Sequence, residues 1–146
     1  MRFLFVDEIL ELSPGKHIKA IKTISPDEDF LLDHFPGFPV VPGVLLTEMM
    51  AQTAGKCLDA EALSRGKAML AQIKTASFRE WVPPAKMATI SCSIRSSRAR
   101  VATATCTVDV EGRTACSAEL LFTFVAADRF ASDYRDEVLD RYLSRR

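Results

Sequence analysis

The sequence predicts an α+β fold in which one antiparallel sheet curls around a central buried helix. Three observations lead there. Residues from Val44 to about Leu63 form a proline-free run of strong helix formers, apolar almost all round over the first three turns. A helix without a polar face has to be wrapped. After it come three consecutive segments that alternate apolar and polar with period two and are joined by short turns, the pattern of an antiparallel meander. The chain has 146 residues, 48% of them hydrophobic, which suits one domain with a continuous core. A sheet closed over one helix satisfies all three, and that layered arrangement is the hot-dog architecture.

The elements follow in order. Arg2 to Leu12 is apolar with acidic interruptions and reads as a short helix or a strand. Ser13-Pro14-Gly15 is a turn, and Lys16 to Ile24 alternates as a strand with Ile18 and Ala20 on one face. Pro26 to Asp33 is a loop. His34-Phe35-Pro36-Gly37-Phe38-Pro39-Val40-Val41-Pro42-Gly43 carries three prolines and two glycines in ten residues. That excludes regular structure but stiffens the backbone, because proline locks φ. The helix follows and stops at Ser64-Arg65-Gly66. Ala68 to Phe78 is a strand, Pro83-Pro84 a break, and Met87 to Arg95, Val101 to Val110 and Thr114 to Phe124 are the meander strands, with Glu111-Gly112 as the hairpin turn between the last two. The hot-dog domain is expected to cover 1–126. In the tail, 127–146, Phe130, Tyr134, Val138 and Tyr142 recur every four residues among charges, which predicts a surface amphipathic helix.

Composition narrows the function classes. Nineteen basic residues balance nineteen acidic ones, so no global field favours nucleic acid or an anionic membrane. Cys57, Cys92, Cys106 and Cys116 form no Cys-x-x-Cys pair, and there are only two histidines; a zinc site is not expected, and the thiols read as core residues. Charge interrupts the N-terminal apolar run after four residues, too early for a signal-peptide core. The apolar segment from Val40 to Ala54 contains Glu48 and Gln52 and is too short to span a bilayer. These features predict a cytoplasmic protein.

Three features carry chemistry. His34 opens the stiff loop. Gly43 closes it at the start of the helix, where unpaired N–H groups and the positive end of the helix dipole can hold a carbonyl oxygen. Glu48 lies a turn or so further on, with Gln52 four residues beyond on the same face. A carboxylate in the run Val-Leu-Leu-Thr-Glu-Met-Met-Ala, if buried, has its charged form disfavoured, which suits a general acid. Each feature also has a plainer reading. Thr47, Glu48 and Gln52 can be a water-facing stripe, His34 a structural hydrogen bonder, and Gly43 only a turn residue; His17, alone on a strand, reads as structural or exposed.

The segment from His34 to Gln52 resembles the active-site signature of the FabZ-type 3-hydroxyacyl-carrier-protein dehydratases, of the form H-F-P-G-x-P-x-x-P-G-V-L-x-x-E-x-M-A-Q. It joins two chemical residues fourteen positions apart to a whole proline-glycine framework. Phe5-Val6-Asp7-Glu8-Ile9-Leu10, Pro14-Gly15-Lys16, Ala76-Ser77-Phe78 and Val82-Pro83-Pro84 are similar to the family more weakly. Pro84-Ala85-Lys86 departs from its usual Pro-Gly-Asp, Phe38 stands where many members have a second histidine, and the chain beyond Ala127 is outside the likeness.

The resemblance implies a hydro-lyase that converts (3R)-3-hydroxyacyl-carrier-protein thioesters to trans-2-enoyl thioesters, in fatty-acid or related polyketide or polyene synthesis. His34 would remove the C2 proton and Glu48 protonate the leaving hydroxyl. Val40 would orient the imidazole, Gln52 hold the carboxylate and Gly43 bind the thioester oxygen, with Val44 and Phe78 also at the substrate. No cofactor or metal is implied. Glutamate at position 48, rather than aspartate, matches the dehydratase-only type. The implied partners are an acyl carrier protein with a phosphopantetheine arm and a second copy of the chain, in a homodimer or an assembly of dimers whose sites pair the histidine of one protomer with the glutamate of the other. Arg79, Lys86, Arg95, Arg98 and Arg100 are candidates for a basic docking patch, or scattered solvated charges. Two rival readings are a hot-dog acyl thioesterase, which does not need the His-Phe-Pro-Gly loop, and a non-catalytic acyl-thioester-binding protein, which does not need both His34 and Glu48.

Overall fold

In the computed structural model of the chain the helix without a polar face is indeed the centre. The structure describes residues 2–61, 66–130 and 134–145. Helix α1 spans Gly43–Glu61 and buries eleven residues, among them Leu46, Met49, Met50, Ala54, Cys57 and Leu58. The expected stop at Ser64 and Arg65 lies outside the described residues.

Six strands form one sheet: β1 (Glu8–Ser13), β2 (His17–Thr23), β3 (Lys67–Phe78), β4 (Met87–Ser97), β5 (Val101–Val110) and β6 (Arg113–Val125). Their order is β1-β2-β4-β5-β6-β3, with every neighbouring pair antiparallel. Of the first segment, Arg2 to Leu12, the part from Glu8 is a strand, and residues 2–7 are neither helix nor strand. Pairings β1–β2, β3–β6, β4–β5 and β5–β6 each contain register shifts, and such bulges bend and twist a sheet. The bent sheet packs on α1 through β2, β3, β4, β5 and β6. The inward sets are those the alternation marks: Ile90 and Cys92 on β4, Ala102 to Val108 on β5, and Cys116 to Phe122 on β6. Glu111 and Gly112 turn from β5 into β6 with φ of 51° and 77°, the paired positive values that a tight hairpin needs.

The tail differs from the sequence pattern. After a short 3₁₀ turn at Ala127–Arg129, helix α2 covers only Glu137–Leu143. Asp136 starts it by accepting from the Leu139 N–H at 3.0 Å. Phe130 and Tyr134, which share the four-residue recurrence, instead pack on each other at 5.5 Å outside the helix. Val138 and Leu139 are buried in the core. Asp136 also receives the Lys56 ammonium of α1 at 2.8 and 3.0 Å, with both side chains nearly buried. Among the described residues no helix is long and apolar enough to cross a membrane.

All four cysteines are buried and unpaired. Burial pushes the Cys57 thiol up to about 11 and the Cys116 thiol up to about 12, and Cys92 rises as well, through burial first and its neighbour Cys106 second. The folded chain therefore holds these protons after the unfolded chain has lost them. The stability they contribute is present below the ordinary thiol value of 9.0 and is lost as pH climbs through about 11 and 12. Urea midpoints should accordingly hold up to about pH 9 and fall steadily above it; a flat profile to pH 11 would contradict the assignment.

Ala85 sits at φ 68° with its N–H bonded to Ile24 O at 2.8 Å. This is the place where the resemblance leads one to expect glycine, and the left-handed region costs an L-residue roughly 1–2 kcal/mol. Ala85→Gly should raise the unfolding free energy by about 0.5–1 kcal/mol after glycine's extra unfolded-state entropy, as read from urea denaturation. A loss of stability would show that the methyl group packs usefully.

Candidate active site

The loop before α1 is tied by its own backbone. Val40 N–H donates to His34 O at 2.9 Å, while Phe35 and Phe38 exchange bonds at 3.0 and 2.9 Å around Pro36-Gly37. Val41 N–H then anchors the segment to Val82 O at 2.8 Å. The His34 ring closes the same unit, its Nδ1 lying 2.9 Å from Val40 O. A carbonyl can only accept, so Nδ1 carries the hydrogen, and Nε2 of the neutral ring keeps the unshared pair.

The loop delivers the chain into α1 at Gly43. Leu45 and Leu46 N–H both donate to Pro42 O. The Gly43 and Val44 N–H groups have no acceptor among the described residues, as first-turn amides often do not. The Phe78 ring lies so near that a Cβ on Gly43 would meet its carbons at 3.1 and 3.2 Å, so any larger residue there would have to push the ring aside. His34, Val40, Gly43 and Phe78 together line a cavity of about 540 Å³ whose other walls include Phe35, Phe38, Leu46 and Trp81.

Glu48 is held separately. Gln52 Nε2 donates to Glu48 Oε2 at 2.9 Å and to Phe3 O at 3.1 Å, while its Oε1 accepts from Phe5 N–H at 2.9 Å. Both amide hydrogens and the amide oxygen are thus used, which fixes the amide orientation. The expected stripe holds only in part: Thr47 turns inward onto Gly43 O at 3.1 Å, and Glu48 and Gln52 are half-buried. These last two line a second cavity of about 300 Å³ with Lys67, Met69 and Leu70. Within one chain, then, His34 and Glu48 belong to different cavities, one near the Phe78 end of β3 and the other near its Lys67 end. Val44 lines neither cavity and is 77% exposed.

A family profile for the FabA-like domain matches residues 1–119. The 3-hydroxyacyl-[acyl-carrier-protein] dehydratase FabZ of Levilactobacillus brevis is 40% identical over 126 residues, covering 86% of this chain and 85% of that protein. The FabZ of Ruminiclostridium cellulolyticum is 36% identical over 86% and 89%. The chain belongs to the FabA-like family. Solved structures agree on the fold. A Streptococcus mutans protein bound to acetyl CoA superposes with a TM-score of 0.67 at 13% identity, over 86% of this chain and 94% of that one. A dehydratase heterocomplex, ApeI:P of Xenorhabdus doucetiae, gives 0.62 at 17% identity, over 82% and 99%.

On this FabA-like scaffold the five cations singled out in the sequence do not make one patch. Arg79 follows β3 and donates to Ser117 at 2.9 Å, and Lys86 precedes β4 and pairs with Glu111 at 3.2 Å. Both lie at the end of the sheet that carries Phe78, since Phe78 pairs with Cys116, Cys116 with Val108 and Val108 with Ile90. Arg95, Arg98 and Arg100 lie at the far end of β4, some 30 Å of extended strand away. Phe3 and Phe5, Trp81 and Lys67 were not singled out at all. Phe3 and Phe5 act through main-chain atoms, and no side-chain pattern marks such a contact.

The Nδ1–H form of neutral His34 is directly observable. Long-range ¹H–¹⁵N spectra should show Nδ1 as the protonated ring nitrogen. An Nε2–H form would mean that the Val40 carbonyl does not hold the ring.

Proposed function

We propose that this FabA-like chain dehydrates 3-hydroxyacyl thioesters to trans-2-enoyl thioesters, with acyl carrier protein as the carrier, as the names of its FabZ relatives state for those proteins. The observation that carries the reading is the His34 imidazole, locked by Val40 with Nε2 unengaged, on the wall of an apolar cavity that also holds the unpaired Gly43 amide. Nε2 takes the C2 proton. The Gly43 N–H, at the positive end of α1, stabilises the enolate oxygen that develops on the thioester. Glu48 gives its proton to the 3-hydroxyl, which leaves as water while the C2=C3 double bond forms. One base, one acid and one backbone donor complete the reaction, and the reverse hydration uses the same groups.

The acid and base come together in a homodimer. Strand β3 is at the sheet edge, its residues from Met69 to Phe78 are exposed, and Met69, Leu70, Ile73 and Phe78 present large apolar side chains. A long apolar edge strand of this kind calls for a partner. Antiparallel pairing of two β3 edges about a two-fold axis would set the Phe78 end of one protomer against the Lys67 end of the other. The His34 cavity of one chain then meets the Glu48 cavity of its partner. Arg79 and Lys86 flank the Glu80–Val82 wall of the His34 cavity and form the candidate contact for an acidic carrier, in a cytoplasmic setting.

Glu48→Gln keeps the shape of the side chain and removes its proton. Dehydration should fall by about two to four orders of magnitude with folding retained. His34→Ala should abolish both dehydration and exchange of the C2 hydrogen with solvent deuterium, measured by mass spectrometry. Surviving C2 exchange, or release of free thiol in place of enoyl absorbance, would refute the reading. Mixing the two inactive variants tests the shared site: random re-pairing should restore about a quarter of native activity, because half the dimers are mixed and one of their two sites is intact. No recovery after subunit exchange would place both groups in one chain.

A further inference from the structure

Glu48, Gln52 and Lys56 are spaced at four-residue intervals and so share one stripe of α1. The first two make the carboxylate–amide pair of the candidate site. The third, buried, holds Asp136 at the start of α2. Helix α2 reaches back to the same region by a second route. Arg141 donates to Asp7 O at 2.8 Å, and Arg145 pairs with Glu8 at 2.8 Å. Leu4, Val6 and Asp7 share a cleft with Val138 and Arg141. The segment so gripped is the one whose Phe3 carbonyl and Phe5 amide clasp Gln52. The contacts form a continuous chain: α2 and the residues just after it hold Asp7 and Glu8, residues 3–5 hold the Gln52 amide, and Gln52 holds Glu48.

We infer that the C-terminal helix α2 positions the acid of the site, with Arg141 and the Lys56–Asp136 pair as positioning residues that act through residues 3–7 and Gln52 on Glu48. The inference rests on Glu48 being that acid. Its physical basis is that, among the described residues, the stretch before Glu8 is tied to β2 through Asp7 alone by hydrogen bonds: its N–H donates to Ile21 O at 2.8 Å, and its carboxylate accepts from the Thr23 N–H at 2.8 Å and the Lys22 ammonium at 3.1 Å. Without α2, residues 3–5 keep the anchorage of the buried Phe5 ring, but the chain leading out of them loses the Arg141 bond to Asp7 O. The two main-chain groups on Gln52 then fluctuate, and with them the direction in which Glu48 presents its proton. Misorientation of the acid affects the chemical step more than binding, because it changes a proton transfer and leaves the apolar walls of the His34 cavity untouched.

The test compares the native homodimer with Arg141→Ala, Arg141→Lys and Gln52→Ala, and with Arg141→Ala combined with Gln52→Ala. Hydration of a crotonyl thioester gives the kinetics, and hydrogen exchange of the Phe5 amide reports the clasp without reference to activity. Arg141→Ala should lower kcat about tenfold with KM within about twofold, and Arg141→Lys, which can still donate to Asp7 O, should recover most of the loss. Phe5 exchange should quicken about tenfold in Arg141→Ala. In the Gln52→Ala background Arg141→Ala should cost nothing further, since both act on one path. Unchanged Phe5 exchange overturns the inference whatever the activity. Faster exchange with unchanged kcat, in an enzyme that Glu48→Gln disables, overturns it too, as do fully additive losses. A native protein that leaves the thioester untouched defeats the dehydratase reading instead, and Phe5 exchange still decides whether α2 holds the clasp. Asp136→Asn keeps an oxygen for the Leu139 cap while removing the charge opposite Lys56, and it should move both readouts in the same direction should Arg141→Ala fold poorly.

Discussion

The structure depends on the need to cover α1. A helix with Met49, Met50, Ala54, Cys57 and Leu58 on its inner surfaces cannot meet water on any of those sides, and each large apolar side chain buried there contributes roughly 1.5–3 kcal/mol. A flat sheet covers one side only. The register shifts in four of the five strand pairings bend the sheet until five strands reach the helix. The bend stops short of closure. Strand β3 ends the sheet with its outer edge unpaired, and the adjoining part of α1 leaves Val44 exposed and Glu48 and Gln52 half-covered. The incompleteness of the wrap leaves both the exposed apolar edge of β3 and the opening on which Glu48 and Gln52 lie.

Rigidity at the site comes from two different sources. His34 is fixed locally: six residues separate it from Val40, and the loop between them closes on itself through backbone bonds. Glu48 is fixed from a distance, through Gln52 and a stretch of chain more than forty residues away in sequence. The first device survives anything that leaves the loop intact. The second depends on tertiary packing.

That contrast explains what could be read from the sequence. The strands of the meander were legible because half-buried strands must alternate, and the Glu111-Gly112 turn because few residues accept positive φ in succession. The His34 loop was legible because proline and glycine constrain a backbone wherever they stand. The first segment does not choose between helix and strand by its pattern, since Phe3-Leu4-Phe5-Val6 is apolar without a clear period; this stretch is neither, because Phe3 and Phe5 spend main-chain groups on Gln52, and the strand begins only at Glu8, where pairing with β2 starts. The tail was misjudged in extent because a four-residue recurrence does not distinguish Val138 and Tyr142, which lie on a helix, from Phe130 and Tyr134, which only meet each other. The basic residues share only their place between or at the ends of strands, and opposite ends of one strand are far apart: Lys86 precedes β4, whereas Arg95 lies near its other end and Arg98 and Arg100 follow it.

The division of labour on α1 follows from the same covering problem. A helix that must be apolar on most sides has few positions to spare for charged or amide groups, and before Asp59 they fall on one stripe at positions 48, 52 and 56, while Thr47 and Thr53 bond their hydroxyls back onto the helix's own carbonyls. Glu48 lines an open cavity, Gln52 has its amide fully engaged, and Lys56 is buried against Asp136. Burying an ammonium is tolerable only with its charge paired and its hydrogens donated, so the chain needs an acid from elsewhere. Asp136 supplies it from beyond the region matched by the family profile, at the start of a helix whose Arg141 reaches the residue before β1 and is followed by Arg145, which reaches β1 itself. The last polar position on the stripe thereby ties the end of the chain to its beginning, and the beginning is what holds the middle position in place.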